Sequence, residues 1–139
     1  MSEPQPALIG YDASSKPDML ALWSPPEQPR VLSPFTAIRL AAALYSVEEN
    51  ELVSHRRAER LVDARALVTW MLRTIPSTPM SYPKIGRALG GRDHTTIIEL
   101  HRRAIRLRLA DETFSRCCDA LLHYFKQMEK AHGRIPAFG

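Results

Sequence analysis

The chain has 139 residues, 45% of them hydrophobic and 24% charged, with 19 Lys+Arg against 15 Asp+Glu for a formal net charge of +4. Such composition and length suit one globular domain with some extra sequence and leave no room for a motor or a two-domain enzyme. The charge is unevenly spread: residues 1–36 carry a net −2, residues 37–139 a net +6, and Ser81 to Leu109 sets seven basic residues against Asp93 and Glu99.

Seven of the 11 prolines fall in the first 34 residues. Proline fixes φ and lacks a backbone donor, so residues 1–32 read as an extended or disordered arm. Its cluster Met19-Leu20-Ala21-Leu22-Trp23 is too apolar for a pure spacer. Either Leu22 and Trp23 cover a patch of the domain, or the cluster docks on a protein partner.

Residues 33–132 are expected to form an all-α domain, followed by a tail over 133–139. Ser33-Pro34 is an N-cap followed by proline at the first helical position. Ile38, Ala41, Leu44 and Tyr45 then recur at helical spacing. Ser46 with Glu49 has the spacing of a capping box and predicts a short second helix ending near Ser54. A polar connector, His55 to Arg60, leads to a third helix striped by Leu61, Ala64, Val68, Met71, Leu72 and Ile75, which Pro76 and Pro79 end. Ser81-Tyr82-Pro83 opens a two-turn helix with Ile85 and Leu89 inward, closed by Gly90-Gly91. Asp93 caps the next helix, from His94 to about Leu109, with Ile97, Leu100, Ala104, Ile105 and Leu107 or Leu109 as its apolar side. Asp111 caps a last helix carrying Phe114, Cys118, Leu121, Leu122, Phe125 and Met128, frayed at Gly133 and Pro136.

Two short-linked helices with glycine in the turn, Pro83–Leu89 and His94–Leu109, have the layout of a helix-turn-helix. In that motif the N-terminal residues of the second helix meet base edges in the major groove. Here they are Arg92, Asp93, His94, Thr95 and Thr96: a cation for phosphate, an acceptor for a base amine, a hydrogen-bonding ring, and hydroxyls with methyls that suit thymine.

The string from Ser81 to Ile98, with Gly-Gly-Arg-Asp-His-Thr-Thr at its centre, resembles the signature of the C-terminal DNA-binding domain of the bacterial replication initiator family DnaA. The likeness runs from about Ile38 to about Lys126. It implies a small helical bundle, similar to the Trp repressor type, with a central helix-turn-helix. It also implies a binding mode on double-stranded DNA: Arg57 in the minor groove; Pro83, Asp93, His94 and Thr95 in the major groove; Arg65, Arg92 and Thr96 near phosphates. Lys84, where the family often has an acidic residue, adds positive charge beside the duplex. Glu59, Asp63 and Ala66 depart from the family's more basic or polar pattern and are expected to weaken phosphate contacts or shift site preference.

No Gly-x-x-x-x-Gly-Lys-Ser/Thr string occurs, so the phosphate-cradling loop of the family's ATPase is missing from these residues, and neither nucleotide nor cofactor is expected. His101 and His123 lack partners at metal-ligand spacing, and adjacent Asp93 and His94 make a poor acid/base pair, so neither metal nor catalysis is expected. The longest apolar run, Leu40 to Tyr45, falls far short of the roughly 20 residues of a membrane span. Adjacent Cys117 and Cys118 cannot staple distant segments, which fits a reducing compartment.

These features favour a stand-alone protein, cytoplasmic and nucleoid-associated, that binds DnaA-box-like sites as a transcriptional or replication regulator. A second reading is an interaction adaptor that works through its arm, its DNA binding weakened by Glu59 and Asp63. A third is a fragment of a longer initiator, which Met1 and the proline-rich arm disfavour.

Overall fold

The computed structural model describes residues 32–132. The expected arm up to Val31, with Leu22 and Trp23, and the tail with Gly133 and Pro136 lie outside the described residues. Six helices follow one another: α1 (Pro34–Tyr45), α2 (Glu49–Leu52), α3 (Glu59–Thr74), α4 (Tyr82–Ala88), α5 (His94–Ala110) and α6 (Glu112–His132). The domain is all-α, as its periodicity predicts.

The caps explain most of the boundaries. Ser33 accepts from the Thr36 amide at 3.1 Å, with Pro34 in the first turn. Ser46 behaves differently from its expected role. It closes α1 in the left-handed conformation at φ 58°, and its amide reaches the carbonyls of Ala42 and Ala43. The capping box moves to Glu48 and Glu51, whose carboxylate accepts from the Glu48 amide at 3.0 Å. The α2 helix therefore starts at Glu49 and ends at Leu52, short of Ser54.

The α3 helix is the core. Leu61 and every residue from Asp63 to Leu72 are buried, so α3 is enclosed on all sides and packs chiefly on α1 and α5. Enclosed helices are usually apolar all round; here Asp63 and Arg65 are buried too, which requires that each be paired. Ala66, expected as a lost polar contact, is a core residue with no exposure. Leu32, expected to belong to the arm, is also fully buried, so the packed domain includes it.

Helices α1 and α3 pack against each other. Tyr45, at the C-terminal end of α1, lies close enough to Asp63 in the second turn of α3 to feel its charge.

On α5 the buried residues are Ile97, Leu100 and Ala104. Ile105, expected inward, is 51% exposed; of the two alternatives after it, Leu107 packs partly buried against the core and Leu109 is 86% exposed. At 3.6 residues per turn Ile105 falls about 100° away from Ala104. Leu109 lies beyond the stretch that α3 covers. On α6 the expected Phe114, Cys118, Leu121 and Phe125 are buried, and Cys117 joins them. Burial pushes the Cys118 thiol up to about 12, leaving it a packing group without thiolate character.

Candidate nucleic-acid interface

The interface is built where the α2–α3 connector meets the α4–α5 turn. Gly90 and Gly91 both have positive φ, 85° and 80°, which L side chains rarely adopt. Gly86 lets α4 and the start of α5 touch: its carbonyl accepts from the amides of Gly91 (3.0 Å) and Arg92 (2.8 Å). A Cβ on Gly86 would stand 2.1 Å from the Arg92 carbonyl oxygen, and one on Gly90 2.2 Å from that of Val53. The turn is thus pressed against both its own helix and the connector.

The carbonyl of Ser54 holds these pieces together. It accepts from Arg65 Nη2 at 3.0 Å and from Arg92 Nη2 at 2.5 Å. Arg65 also donates to the carbonyl of Leu52 (2.8 Å) and to that of Glu51 (3.0 Å), which the Ser54 hydroxyl reaches as well at 2.7 Å. With 2% exposure and its donors turned inward, Arg65 is a fold residue, so the phosphate contact expected of it is withdrawn. Arg92, half-buried, reaches Ser54 and the carbonyl of Leu89.

Three guanidinium groups crowd this junction. Burial, then the charge of Arg92, pulls Arg65 down to about 10; burial, then the charge of Arg57, lowers Arg92. Arg65 stays cationic at neutral pH. Arg57 itself is exposed on the connector, among exposed His55, Arg56 and Ala58. Like charges held together repel, and an anion placed over them relieves that repulsion.

At the start of α5, Asp93, His94, Thr95 and Thr96 are all exposed. Asp93 accepts from the Thr95 amide at 3.2 Å and from its hydroxyl through the same oxygen, Oδ2. Those bonds hold its carboxyl below the usual carboxylate range. The other oxygen, Oδ1, lies 3.7 Å from His94 Nδ1, so one carboxylate oxygen caps the helix while its twin faces outward beside the imidazole. Pro83 is exposed and Lys84 half-buried in the first turn of α4. Of the residues expected at DNA, only Arg65 is buried.

Asp63 does not face this surface. It is 3% exposed and accepts from Arg103 Nε at 2.7 Å, tying α3 to α5, while exposed Glu59 approaches Arg103 at 3.7 Å. The expected repulsion of phosphate by Asp63 is therefore replaced by a helix-to-helix ion pair.

Sequence reasoning also missed the brace behind the motif. The Tyr82 hydroxyl and His101 Nδ1 are 2.8 Å apart, joining α4 to α5, and the Arg73 guanidinium lies 4.2 Å from the Tyr82 ring centre. These partners are separated by 19 residues or cross helices, and no local pattern announces them. Burial first, then Arg73, lowers the pKa of His101. A lowered histidine favours the folded state most above its unfolded pKa of about 6.5 and less as pH falls toward the folded value. Stability should therefore drop as pH is taken from 7.5 to 5, and His101→Gln should flatten that part of the profile, as read by thermal melts.

A helix-turn-helix with an exposed, polar recognition end and a crowded basic flank defines a DNA-binding domain, with no cluster of metal-ligating side chains among the described residues. Residues 36–104, about half the chain, match the model of the family described as "Bacterial dnaA protein helix-turn-helix", and the domain these residues form belongs to that family. Similar proteins include the chromosomal replication initiator protein DnaA of Rhizobium meliloti, 42% identical over 77 residues, or 55% of this chain and 16% of the relative. That of Nitrosomonas europaea is 32% identical over 109 residues, 78% of this chain and 22% of the relative. That of Corynebacterium jeikeium is 38% identical over 80 residues, 58% and 13% respectively. The chain thus spans less than a quarter of the length of these relatives. No described helix is long and apolar enough to cross a membrane.

Proposed function

We propose that this domain reads double-stranded DNA at DnaA-box-like sites and acts, on the nucleoid, as a transcriptional or replication-initiation regulator without ATPase activity of its own. The observation that carries this reading is the start of α5. Asp93, His94, Thr95 and Thr96 stand exposed there, on a 17-residue helix anchored from behind by Ile97, Leu100, Ala104 and the Asp63–Arg103 pair.

Asp93, His94, Thr95 and Pro83 read the major groove in this proposal, and Arg57 enters the minor groove. The helix N-terminus adds its dipole for phosphate, with Thr96 beside it and Lys84 and Arg92 on the flank. The adaptor reading rested on Glu59 and Asp63 facing the duplex; both pair with Arg103, so no observation favours it.

The experiment is a titration of the chain against a DnaA-box duplex and a scrambled duplex at two salt concentrations. Tighter binding to the box is expected, and equal affinity for both would sink the sequence-specific reading. His94→Ala should lose about 1–3 kcal/mol of discrimination between the two duplexes, the typical worth of a good base contact. Thr95→Ala should lose a similar amount but also loosen the Asp93 cap, so His94→Ala is the cleaner variant.

A further inference from the structure

The residues proposed to read DNA stand on two segments far apart in the chain. Arg57 lies on the connector between α2 and α3, while Asp93 precedes α5 and His94 and Thr95 open it. A protein that reads both grooves of one duplex must fix the distance between its two readers. One base pair advances the duplex by roughly 3.4 Å, whereas binding groups must be held to within about 0.5 Å of their productive places.

The two segments meet at one place. Gly90 stands so close to the connector that a Cβ on it would fall 2.2 Å from the Val53 carbonyl oxygen. Beside it, Arg92 donates from Nη1 to the carbonyl of Leu89, the C-cap of α4, and from Nη2 to the Ser54 carbonyl at 2.5 Å, 38 residues back along the chain. Arg65 reaches the same carbonyl from α3 at 3.0 Å. The Ser54 oxygen is thus fixed to the buried helix, and Arg92 fixes the turn to it. Each reader hangs from this bond on a short tether. Arg57 follows Ser54 by three residues, and Asp93, His94 and Thr95 follow Arg92 by one to three. Even fully extended, neither tether exceeds about 11 Å.

We propose that Arg92 is a positioning residue, whose guanidinium fork locks connector to turn and thereby sets the spacing between the base pairs read in the minor and the major groove. The inference rests on the DNA-reading proposal for what is spaced, and on the free protein for what holds it. Only a fork does this work. Nη1 and Nη2 serve carbonyls of two different segments at once, whereas the donors of a lysine radiate from a single atom. Positive charge on the phosphate flank is common to both side chains, so Arg92→Lys separates the fork from the charge.

The first measurement is NMR on the unmodified full chain without DNA. Rotation of the Arg92 guanidinium about its Cζ–Nη bonds should be slow enough to give separate Nη signals; one averaged signal, as a freely solvated arginine gives, overturns the inference. The second compares the box duplex with the same duplex carrying one extra base pair between its minor-groove and major-groove halves. The unmodified chain should bind the lengthened duplex at least about tenfold more weakly, the scale of one mismatched base pair. In Arg92→Lys, measured well below its melting midpoint, that ratio should fall toward one, and a ratio unchanged by the lysine overturns the inference. In an Arg57→Ala background the same lysine should change box affinity little, because the reader it spaces is gone; independent, multiplying effects of the two substitutions also overturn it. Equal binding of the unmodified chain to box and scrambled duplexes would sink the DNA reading and the spacing with it, a failure told apart from loss of the lock by the guanidinium signals.

Discussion

Arg65→Ala should lower the melting temperature by at least about 12 °C and leave the salt dependence of DNA binding unchanged when binding is measured well below the new midpoint. The side chain donates to the carbonyls of Glu51, Leu52 and Ser54 at 2.8–3.0 Å from a buried position. Hydrogen bonds from a charged donor contribute about 1.5–3 kcal/mol each, and truncating a large buried side chain adds the loss of its packing. Relaxation and water entry will recover part of this, so a net loss of about 3–5 kcal/mol is expected. For a domain near 100 residues each kcal/mol moves the midpoint by roughly 4–8 °C. A phosphate-contacting arginine would behave in the opposite way, with little change in stability and a salt slope smaller by about one. Chemical denaturation and binding titrations at two salt concentrations separate the two outcomes on the same variant.

That contrast also marks where the sequence was readable. Caps and periodicity are local, so Ser33, Ser81, Asp93 and Asp111 declare their helices from neighbouring residues, and each accepts the expected backbone amide. The exposed start of α5, the end proposed to read DNA, was legible as a helix N-terminus for the same reason. Roles that depend on what lies across the fold were not. Arg65 and Arg57 look equivalent in one basic stretch, yet one is buried under α2 and the other is exposed, because only the first lies on the enclosed helix α3. Asp63 looked like an intruder at a phosphate-facing surface until Arg103, 40 residues on, supplied its partner. Ser46 could cap either neighbouring helix by spacing; the left-handed exit from α1 claims it, and two glutamates serve α2. Ile105 and Leu109 follow the apolar pattern of α5 but point away from α3, since periodicity gives a stripe and not its width.

The remaining large effect is expected at Gly86. Gly86→Ala should destabilise the domain by about 3 kcal/mol and abolish preference for the box duplex even at temperatures where the protein stays folded. Helix propensity alone argues the other way, because alanine in place of a helical glycine is worth about 0.5–1 kcal/mol of stabilisation. Here the added Cβ would meet the Arg92 carbonyl oxygen at 2.1 Å and its carbon at 3.2 Å. That neighbour is backbone, so no side-chain rotation relieves the overlap, and the turn must move away from α4. Moving it strains or breaks the bonds from the Gly91 and Arg92 amides to the Gly86 carbonyl. Overpacking costs of about 1–3 kcal/mol, with a lost buried hydrogen bond at roughly 1 kcal/mol, therefore outweigh the propensity gain. The displacement also reaches Arg92 to Thr96, the proposed reading end of α5. Gly91→Ala is the comparison. Its Cβ would meet nothing within 4 Å, so the change carries only the left-handed strain of about 1–2 kcal/mol and should keep the box preference. Equal loss of preference in both variants would mean that the turn's conformation, and not the close approach at Gly86, sets the geometry of recognition.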